Sequence, residues 1–415
     1  MSSLPPWKPG SGSSFVDASD WVGTSETSAD RGPQLNRALA AVAGEGGATL
    51  VLPPFPLTVS EPALPDDLTT VIGTPGASQI VVGAGSDCAA MKSARYGAGG
   101  TERVSLRDFV LDGNFAQNPG TTEPLLALDG IAPNVSGLVL RNGYLLLSSE
   151  QSRAEPGYPV SVEGHFDNLR LENGVAGQIE YSGPTDSRFD RIESWTNSGQ
   201  SFRIKKVSYW RGCHPYGNAE NHWVLEAGQI ECIGCQGEGA SKAQVLILSP
   251  STIWRGGRIF SPSGEKLGIQ LGSSALGKLA NGTVIGGVVI TGCTGGSLKY
   301  DNSASNSLVK AWIEQASGTA VVGEHVGGQV YPVVSGGAAV GPQTENHGQV
   351  TIAAGATAVV EHGLLGAPSQ YQLAAQREST GLTTVGVYVI KRTATQLEIR
   401  NNSSAEVNVN WWAKV

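Results

Sequence analysis

The run FDNLRLENG, from Phe166 to Gly174, sets the rhythm of the chain: apolar residues at its first, fourth and sixth positions, polar ones between, and a polar or glycine pair to close. The order returns at Leu106 (LRDFVLDG), Val135 (VSGLVLRNG), Phe189 (FDRIESWTN), Ile230 (IECIGCQG) and Ile285 (IGGVVITG), with weaker copies opening at Val207 (VSYWRGCH) and Trp254. Successive openings lie 29, 31, 23, 18, 23, 24 and 31 residues apart. Each copy predicts one short strand of period two, carried by pairs such as Leu169 and Leu171 and ended by a turn pair such as Asn173-Gly174, which tolerates positive φ. One copy cannot bury its apolar side alone. Stacked copies can, with like positions landing on each other about 4.8 Å apart. Strand repeats of this length with almost no helix predict a parallel β-helix, because a propeller blade needs about 40 residues and four strands. The irregular spacing then means turn inserts of different length, where function usually sits.

The ends read differently. Residues 1–14, MSSLPPWKPGSGSS, predict an extended peptide whose Trp7 suits either a frayed tail or docking on another protein. A helix follows: Pro33 fits a first turn, Leu35, Leu39 and Val42 make an apolar stripe, and Gly44 closes it. Then GGATLVLPP, Gly46 to Pro54, predicts a strand ended by proline. A lone helix ahead of stacked strands reads as a cap over the open end of residues 15–325. Residues 326–347, from VGGQVYPVVSGGAAVGPQ to His347, read as a linker. After Gly348, Val350/Ile352, Val385/Val387/Val389, Leu397/Ile399 and Val407/Val409/Trp411 predict four strands, with another near Val359-Val360, making residues 348–415 a small antiparallel sandwich. A domain this small gains from oligomerisation. Trp411-Trp412 either supply that interface or divide into a core and a surface residue.

Asp30-x4-Leu35-x2-Ala38-Leu39 followed by GGATLVLPP resembles the N-terminal signature of the pectate-lyase-like right-handed β-helix superfamily, and LTTVIGTPGASQIVV, Leu68 to Val82, looks like its next rungs. The family's Phe-Gly-Ala run before the helix is replaced here by DWVGTSETSAD. VEHGLLGAP, from Val360 to Pro368, and the closing KRTATQLEIRNNSSAEVNVNWWAKV look like the C-terminal β domain of phage tailspikes and fibres, which closes a trimer. The resemblance implies an all-β chain: a right-handed parallel β-helix with an N-terminal capping helix and a C-terminal antiparallel β-sandwich trimerisation domain. It also implies a bacteriophage tailspike, a homotrimeric receptor-binding virion component assembled in the host cytoplasm. Its partners would be a host surface polysaccharide and, through residues 1–14, other virion proteins. The superfamily hosts lyases, hydrolases, epimerases and pure binders, so the fold does not choose the chemistry.

Composition narrows the partners. With 56 glycines and 15% charged residues the chain suits a turn-dense β protein. A net charge of −8 offers no basic field for nucleic acid. No run of ~18 apolar residues predicts a membrane span, and no basic start followed by an apolar core predicts a secretory signal. Five cysteines are an odd count, which favours a reducing compartment over a disulfide framework. Cys213-His214, His222 and Cys232-x-x-Cys235 have zinc-ligand types, but in the rung pattern Cys235 faces inward and Cys232 outward, so buried thiols are expected and neither metal nor cofactor.

Aligning the copies sets residues in columns. Asp167 falls beside Asp190, then Ser208 and Glu231; Arg170 beside Glu193, then Arg211; and Asp112, Arg141, Glu172 and Trp195 share a third column. The alternating signs read as stacked ion pairs worth under about 1 kcal/mol each. The like-charged Asp167 and Asp190 are different: such a pair keeps one carboxyl protonated, the donor that glycoside cleavage needs. Asp167, Asp190, Glu193 and Glu231 are therefore the catalytic candidates. Trp195, Tyr209, Trp210 and Trp223 are candidates for stacking on sugar rings, with inserts near Ser182–Asp186 and Pro215–Asn221 as groove walls. A lyase would instead want a base such as Arg203, Lys205 or Lys206, and Lys205 is a substrate-binding candidate either way. A depolymerase, a non-catalytic receptor binder and a structural fibre all remain open.

Overall fold

The computed structural model describes residues 15–24, 29–152, 163–196, 198–217, 219–261, 266–301, 305–315, 317–323, 326–339, 341, 345–364, 367–376 and 386–415. The expected N-terminal peptide 1–14 with Trp7, and Val385, lie outside them. The chain divides into two compact units, Met1–Ser241 and Lys242–Val415. No described helix is long and apolar enough to cross a membrane.

In the first unit the helix Gly32–Gly44 forms where the apolar stripe placed it, with Pro at its start and Leu35, Ala38, Leu39 and Val42 buried. Asp30 ties its start down: one carboxylate oxygen accepts from the Gly32 and Ser60 amides at 2.9 and 3.0 Å, the other from the Ser60 hydroxyl at 2.5 Å. Partial burial pushes this carboxyl up, and the hydrogen bonds outweigh it and hold it below the usual carboxylate range.

Behind the helix, parallel strands stack in three ladders. The first runs Thr49–Val51, Thr70–Ile72, Ser105–Arg107, Asn134–Ser136, His165–Asp167, Ser187–Asp190, Ser208–Arg211, Glu231–Ile233. The second runs Pro56–Val59, Gln79–Val82, Val110–Asp112, Val139–Arg141, Arg170–Glu172, Glu193–Thr196, His214–Gly217, Gln236–Glu238. The third joins Pro124–Ile131, Leu145–Glu150, Gly177–Tyr181, Gln200–Ile204 and Asn221–Leu225. This is the parallel β-helix expected from the repeat.

One repeat is not one strand, however. FDNLRLENG folds as two strands, His165–Asp167 and Arg170–Glu172, because Asn168 between them has φ +53. That left-handed residue swings the chain through a corner, so Phe166, Leu169 and Leu171 all face the interior. Asp108, Gly137, Arg191, Gly212 and Gly234 occupy the same corner position in other rungs. The corner also corrects the cysteine reading: Cys232 and Cys235 both point inward, as does Cys213, and all three are fully buried. Their thiols are pushed up by burial where a shift is resolved, at Cys213 and Cys235.

In the second unit, Val284–Thr291, Ser305–Glu314 and Val326–Ser335 pair in parallel. Rungs therefore continue into residues 326–335, read from the sequence as linker; of the glycines that suggested a linker, Gly327 and Gly328 lie within a regular strand, in which Val330 is fully buried, and Gly336 and Gly337 follow it. The C-terminal residues build two three-stranded antiparallel sheets. One orders Glu345–Ile352, Val407–Lys414 and Gln370–Gln376; the other orders Thr357–Glu361, Gln396–Asn401 and Val387–Arg392. Gln370–Gln376 was not expected from the sequence. Ile352, Leu397, Ile399, Val407, Val409 and Trp411 form the core between them, so Trp411 belongs to the interior of this domain.

Candidate functional site

The rungs from His165 to Ile233 carry the site, and their interior sets which residues face outward. Phe166, Phe189 and Trp210 stack in successive rungs with ring centroids 4.5 and 3.8 Å apart and planes within 2°. Tyr181, Phe202 and Trp223 meet them edge-on or tilted from the third ladder. The polar edges are satisfied inside: Trp210 Nε1 donates to Ser208 Oγ at 2.9 Å and Trp223 Nε1 to the Gln236 carbonyl at 2.7 Å. His222 is enclosed nearby, 2.6 Å from the Glu238 carbonyl through Nε2 and 2.9 Å from Ser201 Oγ through Nδ1. The carbonyl can only accept, so Nε2 carries the proton and Nδ1 takes the serine's. Burial lowers this imidazole to about 4, against the hydrogen bond to the Glu238 carbonyl, which raises it.

Because those residues point in, their neighbours point out in two columns. One is His165, Arg188, Tyr209, Glu231; the other Asp167, Asp190, Arg211, Ile233. Together with Glu163 and Gly164 the columns, all but Asp167, line a groove of about 570 Å³. Tyr209 is 42% exposed in its floor. Its hydroxyl lies 3.4 Å from Asp186, whose negative charge is the main cause of its raised pKa. His165 Nε2 and Arg211 Nε lie 3.5 and 3.9 Å from opposite oxygens of Asp190, and Arg188 lies 3.6 Å from Glu163. The groove is thus a mixed surface of carboxylates, guanidinium groups, an imidazole and one exposed ring.

The expected residues divide across this frame. Asp190, Glu231 and Tyr209 line the groove. Asp167 does sit beside Asp190 in register, but Arg191, the corner residue one rung on, clasps both its oxygens at 2.6–3.0 Å. Beyond Asp190 the column continues with Arg211, not Ser208 or Glu231, and Glu193 is followed by His214, not Arg211. The copies opening at Val207 and Ile230 are out of register by three and two residues: Trp210 and Cys232 take the inward place. Glu193 lies on the second ladder, away from the groove lining. So does Trp195, 39% exposed and flanked in register by Glu172 and Tyr216, which bears out its column with Asp112 and Arg141. Trp210 and Trp223 are at most 1% exposed, so they are core and cannot stack on a sugar. Arg203 and Lys205 belong to the third ladder side, paired with Glu226 and Glu180, and are not neighbours of Asp167 and Asp190. The expected wall at Ser182–Asp186 is a tight turn tied inward through the Pro184 carbonyl, which accepts from Tyr181 and Ser187. Pro215 sits within a strand.

Glu163, His165, Arg188, Arg211 and Ile233 were missed. The signal for most of them was present: His165, Arg188, Arg211 and Ile233 flank the inward residue of their rungs, and the slip at Val207 and Ile230 hid Arg211 and Ile233. No cluster of three or more possible metal ligands occurs among the described residues.

No protein-family model and no curated protein matches the sequence. Among solved structures, the tailspike gp61 of Pseudomonas phage phi297 is similar, with a TM-score of 0.50 at 9% identity, over 97% of this chain and 99% of that one. A mutant tailspike protein of E. coli bacteriophage HK620 in complex with a pentasaccharide is similar with a TM-score of 0.53 at 10% identity, over 97% of this chain and 93% of that one. At such identities the likeness establishes the fold alone: this chain is a parallel β-helix protein whose fold is similar to that of these tailspikes.

Proposed function

We propose that this chain binds a host surface polysaccharide along the groove of the His165–Ile233 rungs. The observation that carries the reading is Tyr209, a ring exposed in the groove floor and flanked in register by Arg188 and Glu231. A flat ring buries the C–H face of a sugar, while carboxylates and guanidinium groups accept from and donate to its hydroxyls. The pentasaccharide held by the similar HK620 tailspike supports it. In a binding assay against surface polysaccharides of candidate bacteria, Tyr209→Ala should lose at least tenfold in affinity with its unfolding midpoint unchanged. Undiminished binding would overturn the reading.

Hydrolysis is the second reading, favoured by Asp190 and Glu231 both lining the groove. They stand two rungs apart, on the order of 10 Å between backbones. That is nearer the ~6.5–9.5 Å carboxyl separation of inverting enzymes than the ~5 Å of retaining ones. One carboxyl would protonate the leaving oxygen while the other activates a water. Asp167, clasped by Arg191, and Glu193, on the second ladder, take no part in this scheme. Asp190→Asn should abolish chain shortening and keep binding. Full turnover in both Asp190→Asn and Glu231→Gln, or shortening with new absorbance from unsaturated sugars, would remove it.

On the same reading the chain is a virion tail component, attached through residues 1–14, assembled in the host cytoplasm and trimeric. Light scattering at micromolar concentration should give three times the 43.0 kDa chain mass; a monomer mass would rule the trimer out.

A further inference from the structure

The two sheets of the C-terminal sandwich carry unlike outer faces. On the sheet of Thr357–Glu361, Gln396–Asn401 and Val387–Arg392, Lys391 and Glu398 pair at 3.2 Å, Arg400 donates to Thr357 at 3.2 Å, and Gln396 donates to Glu361. That face mixes cross-strand polar pairs with exposed apolar side chains, Val359, Tyr388 and Ile390. The centre strand of the other sheet, Val407–Lys414, turns Val407, Val409, Trp411 and Ala413 inward and Asn408, Asn410 and Trp412 outward. Register sets His347 and Gln372 on either side of Trp412, Gln349 and Ala374 on either side of Asn410, and Thr351 beside Asn408. Those outward positions hold no carboxylate, lysine or arginine. Glu345 and Lys414 stand only at one end, and the Glu345 carboxylate accepts from Trp412 Nε1 at 2.6 Å, fixing the indole.

Asparagine is disfavoured in strands, yet two stand in alternation along this centre strand. Gln349, Gln372 and Asn410 each offer a donor and an acceptor on a side-chain amide. With His347 and the half-buried Trp412 they line an open concavity of about 570 Å³. We propose that this face is a second glycan-binding platform, carried by a different unit from the groove and taking a neutral oligosaccharide. Trp412 offers a ring to the C–H face of a sugar, and the three amides reach its hydroxyls. The rows of Trp412 and Asn410 bring no lysine or arginine, Lys414 of the end row stands beside Glu345, and the Glu345 carboxylate on the indole would repel an anion, which favours an uncharged sugar over a uronic or sulfated one.

The platform does not depend on the groove, and the test separates them. Wild-type protein, Tyr209→Ala, Trp412→Ala and Asn410→Ala would be applied to immobilised hexasaccharides of glucose, galactose, mannose and N-acetylglucosamine. At least one should bind wild type and Tyr209→Ala alike and bind Trp412→Ala and Asn410→Ala at least tenfold more weakly. Asn410→Ala, an exposed change, keeps the test valid if Trp412→Ala fails to fold. The proposal is overturned if no hexasaccharide behaves so. It is also overturned if Trp412→Ala lowers the assembly mass in light scattering while leaving glycan binding intact, because the face then belongs to a second copy of the chain.

Discussion

From His165 to Ile233 the strands of the first ladder turn Phe166, Phe189, Trp210 and Cys232 to the interior and the residues flanking them outward, and the two sides stack by different rules. Inside, like sits on like: Phe166, Phe189 and Trp210 lie parallel within van der Waals reach. Outside, the sequence of side chains is mixed: His165, Arg188, Tyr209 and Glu231 in one column, and the like pair Asp167 and Asp190 followed by Arg211 and Ile233 in the other. An interior column gains from repeated shape, because each ring fills the space its neighbour leaves. An exterior column gains little stability from any one pair, so its variety is free to serve recognition.

The sharpest way to break that contrast is to truncate one ring on each side. Phe189→Ala opens a cavity between Phe166 and Trp210 and should cost about 3–5 kcal/mol in urea unfolding. Tyr209→Ala, in the next rung but outward, should stay within about 0.5 kcal/mol while losing glycan affinity. Equal costs would mean that the groove floor is part of the core.

The next effect tests what the interior does to a titratable group. His222 is held neutral, at about 4 in the fold against about 6.5 when unfolded. The fold then binds fewer protons than the unfolded chain, so stability is undiminished above about 6.5, falls as pH drops through that value, and the loss levels off below about 4. The gap corresponds to about 3 kcal/mol over the window. Urea unfolding at pH 7 and pH 4.5 should show His222→Gln with a flatter pH dependence than wild type. Parallel slopes would place the acid sensitivity in the carboxylates instead.

The same contrast explains what could be read from the sequence. Apolar periodicity reports the interior, so the β-helix, the helix Gly32–Gly44 and five of the six sandwich strands were legible. Gln370–Gln376 was not: it faces the core with Leu373 and Ala375, and the adjacent Ala374-Ala375 blur its period-two signal. The groove was legible only as far as the register held. Trp210 and Trp223 show the limit, since an aromatic in a β-helix serves equally as ladder or as platform. The burial of Trp210 depends on which of Val207 or Trp210 takes the inward place, and that choice rests on stacking against Phe189, a contact between residues 21 positions apart in the chain. Glu163 and His165 precede the repeat pattern altogether and enter the site only because the groove extends to the start of their rung.

Corner positions are neither side of the contrast, and they give its smallest and cleanest test. Gly212 has φ +59, and a Cβ built on it would have no neighbour within 4 Å. Gly212→Ala therefore adds a methyl group to open space, and any cost is that of holding an L residue in the left-handed region, about 1 kcal/mol. At Gly137, one corner position in an earlier rung, the added Cβ would lie 2.2 Å from Asp108 Oδ1, so steric conflict joins the backbone term. Urea unfolding should rank Gly212→Ala below Gly137→Ala and both below Phe189→Ala. If Gly212→Ala costs nothing, the corner does not need its left-handed residue; that would undo the reason given for Phe166, Leu169 and Leu171 sharing one interior.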